Sequence, residues 1–100
     1  MKSYKIKLLP SAVKDIENMV EYLSNFYPST ALNQYDKIML KIEKLKTFPL
    51  MCEKYGTIDG ILYRKLVVDD YLVFYVVIAE DFVIEIHRII NSKTDYSNLL

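Results

Sequence analysis

The chain has 100 residues, 52% of them hydrophobic, and thirteen Lys and Arg balance thirteen Asp and Glu. That length suits a single domain spanning the whole chain, and the apolar share is enough for one core, which argues against disorder and against a repeat array. A net charge of zero also argues against a protein that grips nucleic acid through a broad basic surface, since such proteins usually carry a clear positive excess.

No stretch approaches the roughly 18 uncharged apolar residues of a membrane span, and the opening MKSYKIKLLPSAVKD has too short an apolar run for a secretory signal. A cytoplasmic protein with no membrane partner is expected. Cys52 stands alone, which rules out an intrachain disulfide or a Cys-based metal cluster and leaves an inert thiol or a small buried hydrophobe.

Tyr4, Ile6 and Leu8 alternate with Lys5 and Lys7, the period-two pattern of a first strand with one wet face. Pro10 suits the first turn of a helix, and Val13, Ile16, Val20, Leu23 and Tyr27 follow at helical spacing. Pro28 ends this helix, because the residue before a proline avoids the α region. Ser29 or Thr30 is expected to cap a second helix, with Ala31, Tyr35, Ile38, Ile42 and Leu45 on one stripe and Pro49 closing it. So short a link forces an antiparallel helix hairpin whose apolar face needs a sheet to cover it. Met and Tyr residues in the stripes are expected to be core.

The stretch FPLMCEKYGTIDG, residues 48–60, holds both glycines and is expected to be a loop. Its polar candidates are Glu53, Lys54 and Tyr55. Residues 61–95 then contain three runs rich in β-branched and aromatic side chains, broken at Asp69-Asp70 and at Glu80-Asp81. Connections of about two residues cannot hold crossover helices, so these runs form an antiparallel three-stranded meander. The fold class is therefore α+β: an N-terminal strand, a helix hairpin and a three-stranded meander in one sheet.

Alternation places Leu62, Arg64, Leu66 and Val68 on one face and Tyr63, Lys65 and Val67 on the other. In the last run Phe82, Ile84, Ile86 and Arg88 oppose Val83, Glu85 and His87. The helices cover one face, leaving the other to collect polar groups such as Lys65 or Arg64, Glu85 and His87. Residues 1–60 carry nine Lys and seven acids, whereas residues 61–100 carry four cations and six acids. Any phosphate contact on the meander must rely on a few placed cations. The tail from Asn91 to Leu100 is polar, then apolar, and is expected to pack back.

This order of elements, with YRKLVVDDYLVFYVV followed by VIEIHRIINSKTDY, resembles the RelE/ParE superfamily of toxins from bacterial type II toxin-antitoxin modules. PSAVKDIENMVEYL, the LKTFPLM exit from the second helix and the Arg before the Leu-Val-Val strand carry the same likeness, which covers nearly the whole chain. The resemblance implies one of two activities, ribosome-dependent cleavage of messenger RNA or poisoning of DNA gyrase. It also implies neutralisation by an antitoxin encoded alongside, and it leaves open a homodimer or a heterotetramer with that antitoxin. No metal or cofactor is implied.

For cleavage, a 2′-hydroxyl attacks the adjacent phosphate, so a base, an acid and charge-stabilising cations are needed. By the resemblance, Arg64 matches the phosphate-stabilising arginine of cleaving members. Glu53 lies where some carry a base, His87 is a candidate proton carrier because an imidazole is the one side chain whose unperturbed pKa is near neutrality, and Tyr96 matches a C-terminal stacking partner or acid. Lys65, Arg88 and Lys93 are the binding candidates. Many relatives read His-x-x-Arg-Asp after the last strand, but here those positions are Asn91, Thr94 and Asp95. The missing His and Arg favour the gyrase-poisoning reading. A messenger RNA endonuclease is the alternative, and a non-toxic remnant that only binds the antitoxin is the third reading.

Overall fold

The computed structural model describes residues 3–96, 99 and 100. Five strands form one sheet against which two helices pack: β1 (Lys5–Leu8), α1 (Pro10–Phe26), α2 (Pro28–Lys44), β2 (Lys54–Ile58), β3 (Ile61–Val68), β4 (Tyr71–Ile78) and β5 (Val83–Asn91). The strand order is β1-β5-β4-β3-β2. The expected α+β architecture, with its first strand, helix hairpin and antiparallel meander β3-β4-β5, is what forms. β1 joins the edge of β5 in parallel, so the sheet is mixed. The helix hairpin between β1 and the meander supplies the long crossover that a parallel pair requires.

Two details of the hairpin follow from proline chemistry. Pro10 opens α1 and Pro28 opens α2, each at a position whose N–H would have had no helical partner. The second helix therefore begins at Pro28 with Tyr27 as its only link. The expected cap by Ser29 or Thr30 is not made, because both already lie inside the first turn.

The stretch expected to be a loop contains a fifth strand. β2 pairs antiparallel with β3 through a two-residue turn in which Asp59 has φ 51° and Gly60 has φ 79°. Two successive positive φ values are what a tight hairpin turn demands, and Asp-Gly is the sequence best suited to supply them. Tyr55 is an extra residue between the Lys54–Arg64 and Gly56–Tyr63 pairs. This bulge and the central glycine hide the strand's alternation.

The helices cover one face of the sheet. Ala12 and Met19 of α1 and Ile38 and Ile42 of α2 pack with Leu66, Val73, Tyr75, Ile84, Ile86 and Ile89 in the main core. A side chain of this size, fully buried, contributes about 1.5–3 kcal/mol. On the opposite face, Tyr63, Leu72, Phe74 and Ile90 are buried beneath Tyr96, Leu99 and Leu100. The tail packs back as expected, and it gives the second face a small apolar core.

Candidate functional site

The register of β3 separates its two cations. Arg64 pairs across with Tyr75 of the helix-side core, whereas Lys65 pairs with Phe74 of the opposite face. Arg64 donates through Nη1 to the Cys52 carbonyl at 2.8 Å, and among the described residues no carboxylate pairs with it. It thus ties the segment before β2 to the sheet. The Cys52 side chain packs against the main core as a small hydrophobe. Beside them, the Tyr75 hydroxyl donates to the Pro49 carbonyl at 3.1 Å, and burial holds this phenol well above its ordinary pKa.

Glu53 and Lys65 do come together, with Nζ 3.5 Å from Oε1, and the backbone N–H of Lys65 donates to the Glu53 carbonyl. The Glu53 side chain is 70% exposed, so the ion pair itself stabilises by less than about 1 kcal/mol.

β5 carries a bulge that changes its pattern. Tyr75 pairs with Ile86 and Phe74 with Arg88, which leaves His87 as the extra residue. Strict alternation put Arg88 with Ile84 and Ile86 on the helix face. The bulge instead turns Arg88 off that face, and Ile89 enters the core in its place.

Each nitrogen of the Arg88 guanidinium makes one hydrogen bond. Nε and Nη2 grip both carboxylate oxygens of Asp15 at 2.7 and 2.9 Å, and Nη1 donates to the Leu99 carbonyl at 2.9 Å. The Asp15 hydrogen bonds hold the guanidinium pKa above its ordinary value against the opposing effect of burial. Asp15 also accepts from the Ile89 N–H at 2.9 Å, and Ser11 Oγ donates to the His87 carbonyl at 2.6 Å. Where β1 ends, side chains of α1 therefore satisfy the bare edge of β5.

His87 sits on the face that carries the tail. Its Nε2 lies 3.2 Å from Glu85 Oε1, and its Nδ1 lies 3.2 Å from the Tyr63 hydroxyl. For a neutral ring, Nε2–H donates to the carboxylate and Tyr63 donates to Nδ1, which satisfies every group. The ring stands edge-on to Tyr63, with centroids 5.1 Å apart.

Tyr96 is also on this face, its ring 5.6 Å from Phe74 and 6.3 Å from Tyr55. Lys93 is exposed in the turn after β5, where its N–H donates to the Asn91 side chain. It borders a cleft of about 480 Å³ that also touches Asp15, Asn18, Tyr22 and Tyr71.

The candidates consequently fall into separate places. Glu53 and Lys65 form a surface pair, His87 sits between Tyr63 and Glu85, and Arg64 lies on the other face of the sheet. Arg88 is sequestered by Asp15. The sequence pointed to neither Asp15 nor Tyr63, because their partners are distant in the chain and no local spacing announces them.

The family model describing the ParE toxin of the parDE type II toxin-antitoxin system matches residues 6–96. The chain belongs to this ParE toxin family. No curated protein matches it. Among solved structures, this ParE-family chain is similar to one from the chromosomal ParDE toxin-antitoxin system of P. aeruginosa, with a TM-score of 0.73 at 17% identity, covering 89% of this chain and 96% of the other. It is also similar to a chain of the archaeal RelE–RelB complex of Pyrococcus horikoshii, with a TM-score of 0.66 at 18% identity over 90% and 96% of the two chains. A chain of the RelBE2 toxin-antitoxin complex of Mycobacterium tuberculosis gives 0.58 at 15% identity, over 89% and 98%. At such identities these likenesses speak to the fold, and the RelE/ParE fold expected from the sequence is the one the ParE-family chain adopts.

Proposed function

We propose that this chain arrests growth as a ParE-like toxin that binds and poisons DNA gyrase, and that an antitoxin encoded beside it holds it in check in the cytoplasm. The carrying observation is the dispersal of the cleavage candidates. Arg64 and His87 project from opposite faces of the sheet, and both carboxylate oxygens of Asp15 occupy Arg88. Phosphodiester cleavage needs its base, acid and cations converged on one phosphate. A protein that acts by binding has no such requirement.

The antitoxin partner follows from the family and from the neighbours, each of which was solved in a toxin-antitoxin system or complex. One observation favours the second reading, a ribosome-dependent messenger RNA endonuclease. His87 is oriented by Glu85 on the face that also carries Lys65 and Tyr96, so an imidazole and a cation share a surface.

Induction without the antitoxin separates these readings. The gyrase reading expects growth arrest with an SOS response and intact messages. Cuts inside ribosome-bound message, abolished by His87→Ala, would establish the endonuclease instead. Unimpeded growth with folded chain present would remove both and leave a remnant that only binds antitoxin.

A further inference from the structure

The cleft of about 480 Å³ that Lys93 borders opens between α1 and the turn that follows β5. Asn18 and Tyr22, one helical turn apart, line the α1 wall, and Lys93 and Thr94 line the wall made by the turn. Met19 and Ile89 add apolar surface. Of the charged groups in the lining, Asp15 and Arg88 neutralise each other at 2.7 Å, which leaves Lys93 as the one unpaired charge there among the described residues. The Asn18 amide, the Tyr22 and Thr94 hydroxyls and the Lys93 ammonium have no hydrogen-bond or ion-pair partner among those residues.

Both walls are fixed in place. On the turn, the Ser92 N–H donates to the Asp70 carbonyl at 2.7 Å, the Lys93 N–H to Asn91 Oδ1 at 2.9 Å and the Thr94 N–H to the Asn91 carbonyl at 3.0 Å. On the helix, Asp15 ties α1 to β5 through Arg88 and the Ile89 N–H. Phe26 packs against the Tyr22 ring with centroids 5.3 Å apart, yet Tyr22 stays 65% exposed, so much of its aromatic surface is bare. Walls held in this way lose little freedom when a ligand enters.

We infer that this cleft binds a free nucleoside monophosphate, with its phosphate on Lys93 and Thr94, its base against Tyr22 and the polar edge of the base at Asn18. Each part of such a ligand meets a side chain of suitable chemistry. An ammonium and a hydroxyl donate to phosphate oxygens, an aromatic ring stacks on a base, and an amide both donates and accepts along a base edge. The volume falls within the range of about 300–1,000 Å³ typical of small-molecule sites. The number of cations separates a nucleotide from a nucleic-acid strand. A groove that tracks a strand needs positive charge along the backbone, whereas one lysine serves one phosphate. Arg64, Glu53 and His87 do not line the cleft, so its occupancy does not depend on which target the toxin strikes.

The test titrates the full, isotope-labelled chain with the four ribonucleoside monophosphates and follows the amide signals of Asn18, Tyr22, Lys93 and Thr94 by NMR. At least one nucleotide is expected to saturate these shifts with a Kd below about 1 mM, and its nucleoside and inorganic phosphate are each expected to bind at least about 5-fold more weakly. Lys93→Ala and Tyr22→Ala, both exposed changes checked by circular dichroism, are each expected to weaken binding at least about 5-fold, and Tyr22→Phe, which keeps the ring, by less than about 2-fold. Absence of saturable shifts, nucleoside or phosphate binding as tight as the nucleotide, or indifference to Lys93→Ala or Tyr22→Ala would each overturn the proposal. A single-stranded oligonucleotide without terminal phosphates that binds more tightly than every mononucleotide would assign the cleft to a strand and overturn it too. Growth arrest on induction bears on the toxin reading alone, so the two claims fail separately.

Discussion

Asp15→Ala is the substitution whose effect the structure defines most sharply. The carboxylate receives two hydrogen bonds from Arg88 and one from the Ile89 N–H, and its side chain is 12% exposed. Removing it leaves the N–H of a buried residue without an acceptor, at about 1–3 kcal/mol, and breaks two charge-assisted bonds of about 1.5–3 kcal/mol each. These contributions overlap, and the Arg88 side chain, 23% exposed, can turn toward water, so the combined loss is set at about 3 kcal/mol. In urea, with an m-value of about 1.5 kcal/mol/M, the midpoint should fall by about 2 M while m stays constant. Glu17→Ala, an exposed change on the same helix, should cost less than about 0.5 kcal/mol. Native-state exchange should also show faster loss of the Ile89 amide proton. If Asp15→Ala matched Glu17→Ala within error, the clamp joining α1, β5 and the tail would carry no weight and the structural role given to Arg88 would be wrong.

Other outcomes can be checked with the same assays. Tyr75→Phe keeps the packing but loses the hydrogen bond to Pro49, and should destabilise by about 1 kcal/mol in urea titrations. Tyr75 and Tyr71 are both held above the ordinary phenol pKa chiefly by burial, so folding favours their protonated forms. The stability they contribute is fully present below the unfolded value of about 10 and is lost as pH rises through the folded values, so denaturation midpoints should drop only above about pH 10. The two glycines should respond with opposite signs. Gly60→Ala meets no neighbouring atom but must hold φ at 79°, costing about 1 kcal/mol. Gly56→Ala, equally uncrowded and free of that backbone demand, should be neutral or stabilising by about 0.5 kcal/mol.

The helices and the meander were legible because their hydrophobic periods are long and clean, and because Pro10 and Pro28 mark where helices can begin or end. The Asp59-Gly60 turn was equally legible in principle. It was obscured because the strand before it is only five residues long, with a glycine at its centre and a bulge at Tyr55. The candidate site was harder to read, since side-chain direction on a strand depends on register and a single inserted residue reverses it. The bulge at His87 moved Arg88 away from the face that alternation gave it, and the partner that then captured it, Asp15, lies 73 residues earlier. Arg64 and Lys65 were placed correctly on opposite faces. Arg64's hold on a backbone carbonyl could not be foreseen, because it depends on where an irregular segment passes.

Gyrase supercoiling is the most direct test of the central claim. Relaxed plasmid is incubated with gyrase, ATP and increasing amounts of the purified chain, with and without the product of the neighbouring reading frame. Inhibition of supercoiling that is relieved by that product, with ribosome-bound message left intact in a parallel reaction, is the predicted result. Full supercoiling in the presence of folded chain, together with cuts in the ribosome-bound message, would contradict the account.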